Sequence, residues 1–347
     1  MKFQGILTLF LVFAATLYTV ADTSYKYINY KFPTLTDEIF SSIQKGDGDV
    51  QTLTPVTDTP VIEENKQTEE KKETASAPAV SKSDAVGKIT DRVISPYGAN
   101  TSYNKVYLKN NTGASIDLPS LLKQPLNFKI EKNDKPQVLI IHTHTTESYM
   151  NEPRDFYVAA DATRSTKTSK NMAYIGEIFA KKLKDAGISV LHDKTLHDHP
   201  SYTGSYDRSA ETVKKHLKEN PSIKVVIDIH RDAITSSDKT KTRPVVNING
   251  KRAAQVMLVM GSQTGGITNF PNWKQNLSFA VKYQQTLEVM YPSLARAITL
   301  NSAKYNQNLT VGSILIEIGS EANTFEEATN AANFSADALV SLLNTQN

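Results

Sequence analysis

The sequence predicts an α/β protein with a mixed or parallel sheet flanked by helices on both faces. Short apolar runs alternate with longer amphipathic segments, which is the pattern of buried strands joined by helices. Two of these runs, Val138–Ile141 (VLII) and 256–260 (VMLVM), are apolar at every position. Strands of this kind are buried on both sides, so helices must cover both faces of the sheet.

The elements follow one another along the second half of the chain. A preamble at 91–136 precedes a catalytic domain expected at 137–347. Helices are expected to stop at Gly187 and before Pro221, because glycine and proline commonly follow helix ends. The predicted helices are 169–186, 208–219, 277–305 and 324–343, with an interruption of the third at Pro292 left open. The predicted strands are 105–108, 126–130, Val138–Ile141, 190–191, 224–229, 256–260 and 313–318.

The N-terminal region predicts a membrane attachment and a tether. Residues 5–21 carry no charge, which suits an N-terminal membrane anchor at 1–21 or, as the alternative, a cleaved secretory signal. A juxtamembrane segment at 22–44 follows. Residues 45–90 contain no aromatic side chain, so they cannot bury enough apolar surface to offset their ordering entropy and are expected to form a disordered linker. The remaining chain would then lie outside the cytoplasm.

Composition narrows the chemistry. The chain has 347 residues, 39 Lys and Arg against 36 Asp and Glu, and no cysteine. Near balance of charge argues against a nucleic-acid partner. Without thiolates, any metal must be bound by histidine and carboxylate side chains.

Histidine and glutamate residues, which can bind a metal, lie at or after the ends of three of the predicted strands. His142 and Glu147 come after the first, His230 ends the second, and Glu317 lies within the third. Since the carboxyl ends of parallel strands meet at one edge of a sheet, these side chains are candidates for a hydrolytic metal site. Glu317 stands between two isoleucines and is costly to bury unless it is paired or linked to a metal.

Neighbouring residues leave alternatives open. Asp228 shares a strand face with His230 and could orient its imidazole. His144 is a further ligand, a substrate contact or a turn residue. A rival metal site is the loop cluster of His192, His197 and His199, which is interpreted chiefly as structural or surface, and His216 is expected to be solvated. A serine hydrolase is disfavoured because no G-x-S-x-G motif is present.

Three motifs then resemble one family. The segments VLIIHTHTTESY (138–149), VVIDIHRDA (225–233) and LIEIGSEANTFEEA (315–328), in this order, resemble the stage II sporulation protein P family of membrane-anchored cell-wall hydrolases. The resemblance implies a fold similar to zinc-dependent N-acetylmuramoyl-L-alanine amidases. It also implies cleavage of the amide between N-acetylmuramic acid and L-alanine in peptidoglycan, together with endopeptidase activity on cross-links.

The resemblance also implies roles for residues. His142 and His230 would be zinc ligands and Glu317 the catalytic general base or acid. Glu147 is the chosen third ligand, with Glu177 as the fallback. Arg231 would contact a peptide carboxylate or pair with Asp232.

The implied partners are the stage II sporulation protein D lytic transglycosylase and stage II sporulation protein M, at the sporulation septum during engulfment of the forespore. Two other functions remain open from the residues alone. One is a metal hydrolase of another substrate class, such as a carboxypeptidase-like or deacetylase-like enzyme. The other is a non-catalytic scaffold that binds the cell wall.

Overall fold

Two sheets organise residues 80–161 and 163–345, which the structure, a computed structural model, describes. The helices are α1 (Leu118–Lys123), α2 (Met172–Asp185), α3 (Ser205–Glu219), α4 (Trp273–Met290) and α5 (Phe325–Asn344). The strands are β1 (Ala85–Arg92), β2 (Thr101–Tyr103), β3 (Val106–Asn110), β4 (Val138–Ile141), β5 (Phe156–Val158), β6 (Val190–His192), β7 (Val225–Asp232), β8 (Lys241–Ile248), β9 (Lys251–Ala254), β10 (Val256–Gly261), β11 (Ile298–Asn301) and β12 (Ser313–Ser320).

The larger sheet has eight strands in the order β2-β3-β11-β10-β12-β7-β4-β6. Its half formed by β12, β7, β4 and β6 is parallel, and β10 pairs antiparallel with β12. The predicted mixed sheet is therefore confirmed. The parallel half places the ends of β4, β7 and β12 at one edge, where the polar motifs lie.

Helices cover both faces of this sheet. Alternate residues of a strand point to opposite sides, and β4 shows the result. Leu139 and Ile141 pack with Val213 of α3 on one face, whereas Ile140 packs in the main core with Phe179 of α2. All four β4 side chains are at most 1 % exposed, as a strand buried on both faces requires.

Local signals start and end the helices. Asn171 caps α2 by accepting a hydrogen bond from the N–H of Ala173 at 3.0 Å, and Gly187 follows the helix in the left-handed region with φ 78°. Thr324 and Glu327 form a reciprocal capping box at the start of α5. These two helices therefore begin within three residues of the predicted positions.

The interruption left open at Pro292 is present, so the helix expected over 277–305 is wrong beyond Met290. α4 ends there, and β11 (Ile298–Asn301) follows in parallel pairing with β10. Pro292 explains the break, since its ring restricts the preceding residue and it has no N–H to donate. The expected strand at 126–130 is also absent. Leu126 and Ile130 are buried there without joining a sheet.

The smaller sheet, in the order β5-β1-β8-β9, was not predicted. β1 begins at Ala85, inside the segment expected to be a disordered linker. Its only buried residue is Ile89, so composition gave no strand signal. β1 is instead held by its neighbours, because it pairs with both β5 and β8.

The expected anchor at 1–21, the segment at 22–44 and the linker up to residue 79 lie outside the described residues. Among the residues that the structure describes, no helix has the length and apolar character needed to cross a membrane.

Candidate metal centre and active site

Three side chains meet at the carboxyl ends of β4 and β7. His144 and Glu147 lie in the turn after β4, and His230 lies on β7; one ligand atom from each falls within 4.8 Å of the others. Glu147 stands between the two rings, with Oε1 3.6 Å from Nδ1 of His144 and Oε2 3.7 Å from Nδ1 of His230. Two imidazoles and one carboxylate are a donor set that catalytic zinc sites use.

Asp228 orients His230. Oδ1 of Asp228 lies 2.8 Å from Nε2 of His230, an ion-pair contact, so Nδ1 is the nitrogen turned toward Glu147. Burial lowers the pKa of His230, but the charges of Asp228, Glu147 and Glu317 outweigh it and raise that pKa to about 10. The surrounding carboxylates thus favour a cation at this position, and a divalent metal ion can take the place of the proton.

Asp228 also fixes the turn that carries His144. Its Oδ1 accepts a hydrogen bond from the N–H of Thr143 at 2.8 Å, and its Oδ2 accepts one from Oγ1 of Thr143 at 2.6 Å. Burial opposes the charge of this carboxylate, but His230 and the Thr143 hydrogen bonds hold its pKa down to about 2. One ionised side chain therefore couples β7 to the turn after β4.

A second carboxylate anchors the same turn. The buried Asp198 accepts hydrogen bonds from the N–H of Thr146 at 3.0 Å and from its hydroxyl at 2.6 Å. Arg164 donates to Asp198 at 2.5 Å and lies 3.8 Å from Oε1 of Glu147. The turn is thereby held rigid on both sides of His144.

Tyr202 packs against His144. Its ring stacks on that of His144, with centroids 4.5 Å apart and an interplanar angle of 24°. The guanidinium of Arg164 lies over the Tyr202 ring at 4.9 Å. Arg164 and Tyr202 were not predicted from the sequence. Both lie in polar loops, and the composition of these loops does not separate a functional residue from an ordinary surface residue.

Glu317 lies on β12 directly opposite His230. Its Oε2 is buried and has no hydrogen-bond partner among the described residues. Burial, reinforced by the charges of Glu147 and Asp232 and opposed by that of His230, raises the pKa of Glu317 to about 8. A carboxyl group with such a pKa can both release and take up a proton near neutral pH.

The structure does not bring His142 into this group. Its Nδ1 donates to the carbonyl oxygen of Ile229 at 3.0 Å, and its Nε2 lies 2.9 Å from Nε2 of His192. Burial, together with His192, lowers the pKa of His142 to about 3. Because β4 ends at Ile141, His142 and His144 lie in a turn and point to different partners, and His144 stands in the position expected for His142.

Glu177, the fallback ligand, is also elsewhere. It lies on α2 and pairs with Lys194 at 2.6 Å and with His192 at 3.3 Å. The rival cluster does not form either: within the described part of the chain, His197 is engaged by Thr212 at 2.9 Å and by a backbone carbonyl.

His216 was wrongly expected to be solvated. Its side chain is 14 % exposed and its Nε2 lies 2.8 Å from Oδ2 of Asp193. The helix face that carries it turns toward the loop after β6.

Arg231 holds the turn that carries Glu147 through hydrogen bonds. Its N–H donates to Oε2 of Glu147 at 3.2 Å, and its guanidinium donates to the carbonyl oxygens of Ser148, Thr163 and Asp232. The expected pairing with the Asp232 carboxylate is absent, since that group pairs with Arg296 at 2.8 Å. The guanidinium of Arg231 is therefore hydrogen-bonded to backbone carbonyl oxygens and holds the loop in place.

A family model matches most of the chain. The model described as stage II sporulation protein P matches residues 22–340. The chain belongs to this family. A relative, stage II sporulation protein P of Bacillus subtilis (strain 168), is 32 % identical over 215 residues, covering 59 % of this chain and 50 % of the relative. The chain thus spans half the length of that stage II sporulation protein P.

Solved structures give more distant likenesses. The N-acetylmuramoyl-L-alanine amidase from Clostridium difficile 630 is 16 % identical, covers 61 % of this chain and 97 % of its own, and has a TM-score of 0.36. The CwlD amidase from Clostridioides difficile in complex with the GerS lipoprotein is 13 % identical, covers 60 % and 98 %, and has a TM-score of 0.39. Membership of the stage II sporulation protein P family rests on the family model.

Proposed function

We propose that this protein is a zinc-dependent peptidoglycan hydrolase that cleaves the amide between N-acetylmuramic acid and L-alanine, with endopeptidase activity on peptide cross-links. The observation that carries the proposal is the group of His144, Glu147 and His230 beside Glu317, whose buried Oε2 has no hydrogen-bond partner among the described residues. Amide hydrolysis by a metal enzyme needs a metal site with an open position and a proton carrier next to it.

The ligand set is revised from the one implied by the motifs. His144 replaces His142 as a zinc ligand, alongside Glu147 and His230, because both nitrogens of His142 already have partners. A zinc ion bound there would polarise the scissile carbonyl and acidify a water molecule. Asp228 and the N–H of Arg231 orient the ligands, as groups around catalytic metals commonly do.

Glu317 carries the proton in this proposal. It accepts a proton from the attacking water and delivers it to the nitrogen of the leaving amine. Its pKa of about 8 suits this exchange, because a general acid or base works best when its pKa lies near the working pH. Its position opposite His230 sets the two backbones one strand spacing, about 4.8 Å, apart.

The cellular setting is part of the same proposal and comes from the family resemblance. The N-terminal segment would attach the protein to the cell membrane with the hydrolase outside the cytoplasm, at the sporulation septum. Stage II sporulation protein D and stage II sporulation protein M are the proposed partners there.

The test is to measure bound zinc and the products released from purified peptidoglycan by wild type, Glu317→Gln and the control Glu326→Gln, an exposed residue of α5. We expect about one zinc per chain in all three and release of stem peptides with new L-alanine amino termini in all but Glu317→Gln. Release of acetate or of single amino acids would identify another substrate class. If the folded wild type binds no zinc and stays inactive after zinc is added, the proposed hydrolase is wrong, and the non-catalytic scaffold that binds the cell wall becomes the favoured function.

A further inference from the structure

Three arginine side chains lie around the proposed centre, and two of them hold the turn that carries two of the proposed ligands. Arg231 donates to backbone carbonyls of the surrounding loops. Arg164 donates to Asp198 and to the hydroxyl of Thr146. Neither guanidinium can turn to a substrate without releasing the turn that carries the metal ligands.

Arg296 is different. Its backbone is fixed at the start of the segment leading into β11, where its N–H donates to the carbonyl oxygen of Val256 at 2.7 Å. Its Nη1 donates to Oδ2 of Asp232 at 2.8 Å. The described residues offer no partner to its Nε, and no hydrogen bond to its Nη2 is found among them. The side chain is 12 % exposed. A guanidinium has five N–H donors, and among the described residues the two on Nη2 of Arg296 have no hydrogen-bond partner, whereas its Nε is buried.

The position of Arg296 relates it to the reacting groups. Val256 precedes Met257, the β10 residue paired with Glu317, and Asp232 lies two residues beyond His230 on β7. The guanidinium therefore reaches across β12 beside Glu317, and its charge is among those that act on the Glu317 carboxyl. Two residues of strand correspond to about 7 Å. Asp232, which holds the guanidinium of Arg296, is thus about that far along β7 from His230.

We propose that Arg296, held in place by Asp232, is a subsite for a substrate carboxylate: the free α-carboxylate of the second residue of the stem peptide, a D-glutamate joined through its side chain. This inference rests on the proposed function. That carboxylate lies up to two residues from the scissile amide, or at most about 7 Å of extended chain. The planar fork of arginine matches a carboxylate in geometry and charge.

The structural alternative is that Arg296 serves only to neutralise Asp232. The two readings differ in one measurable respect. A purely structural arginine is indifferent to whether the substrate presents a carboxylate or a carboxamide at the second residue, whereas a binding arginine distinguishes them.

The test is calorimetric binding to the full-length, zinc-loaded Glu317→Gln protein, which does not turn the ligands over. The probes are N-acetylmuramoyl-L-alanyl-D-isoglutamate and its isoglutamine counterpart. We expect the carboxylate to bind about 10-fold more tightly, the magnitude of one charged hydrogen-bonded contact, and the preference to shrink as salt is added. Adding Arg296→Gln should abolish the preference and leave carboxamide binding within about 2-fold. Arg296→Lys, which keeps the charge without the fork, should retain part of it.

The control is Arg252→Gln, because Arg252 is a half-exposed arginine that pairs with Asp91 and Glu327; it should leave the preference unchanged. If Arg296→Gln fails to fold, the comparison of the two probes with Arg296→Lys still decides. Equal affinity for the two probes would overturn the subsite. Amide cleavage by wild type without any preference overturns the subsite and leaves the proposed function. A preference without amide cleavage supports the subsite and overturns that function.

Discussion

Glu317 and His230 are register partners on the parallel strands β12 and β7, so their side chains leave the same face of the sheet side by side. One is a proposed metal ligand and the other has a buried carboxylate oxygen without a partner. A buried, unsatisfied carboxyl group costs stability. Its presence beside His230 is the feature that the proton transfer proposed for Glu317 would explain.

Alanine substitutions distinguish the proposed zinc ligands from the histidine that lies next to them and is not proposed to bind zinc. His144→Ala and His230→Ala should each lose zinc, because each removes one of three converging donors. His142→Ala should keep zinc in the folded protein but unfold at lower temperature, since it empties a fully buried site. Metal analysis and thermal unfolding of the three variants check this. Loss of zinc in His142→Ala with retention in His144→Ala would restore the ligand set implied by the motifs.

Glu317→Gln should keep zinc and lose at least about 100-fold in amide hydrolysis, the usual contribution of a general acid–base group. The amide has nearly the same shape but cannot exchange the proton. Comparison of turnover with Glu326→Gln is the measurement. A Glu317→Gln enzyme with near wild-type turnover would remove Glu317 from the reaction.

The metal-free protein should be most stable near pH 6.5. Burial holds the pKa of His142 at about 3 and of His192 at about 4, so both must take up protons on unfolding and stability falls as the pH drops below about 6.5. Glu317, with its pKa raised to about 8, and His230, raised to about 10, retain protons that the unfolded chain releases. Their contribution is lost as the pH rises through those values.

Urea unfolding of chelator-treated protein from pH 4 to 9 checks this curve. Glu317→Gln should remove the loss of stability that Glu317 causes as the pH rises from 4.5 to about 8, and should be the more stable protein at pH 8. Wild-type stability that keeps rising up to pH 8 would contradict the raised pKa of Glu317.

Tyr202→Ala should weaken zinc binding about 10-fold, the lower end of the effect of removing a group that orients a ligand. Without the stacked ring, His144 loses the surface that fixes its plane. Competition with a zinc chelator measures the change, with the exposed Tyr97→Ala as the control. Equal zinc affinity in the two variants would show that the stack does not position His144.

Gly176→Ala tests the packing behind the site. A Cβ at Gly176 would lie 2.5 Å from Nε2 of His192 and 2.6 Å from Nε2 of His142, so the histidine pair must move. We expect a loss of about 1–3 kcal/mol in the free energy of unfolding with zinc retained. Gly98→Ala, with nothing within 4 Å of the added carbon, should change stability little. Similar unfolding of both variants would argue against the close approach.

Much of the fold could be predicted because its signals are local. The apolar run of β4 and the capping residues of α2 and α5 act within a few positions of the chain, and the structure places these elements close to the expected residues. β1 and β11 could not be predicted in this way. β1 has one buried side chain and is held by hydrogen bonds to strands far along the chain.

The sequence by itself determined that polar residues follow buried strands, and it put Glu147, His230 and Glu317 at one edge of the sheet. Only the tertiary structure decided which histidine after β4 faces them. That choice is made by Asp228, which holds Thr143 across 85 positions of sequence and turns the chain so that His144 points to the centre and His142 away from it. Arg296 depends on the same kind of contact, since Asp232 holds it from a distant strand. Periodicity describes neighbours along the chain, whereas these side chains are placed by partners that meet only after the sheet has formed.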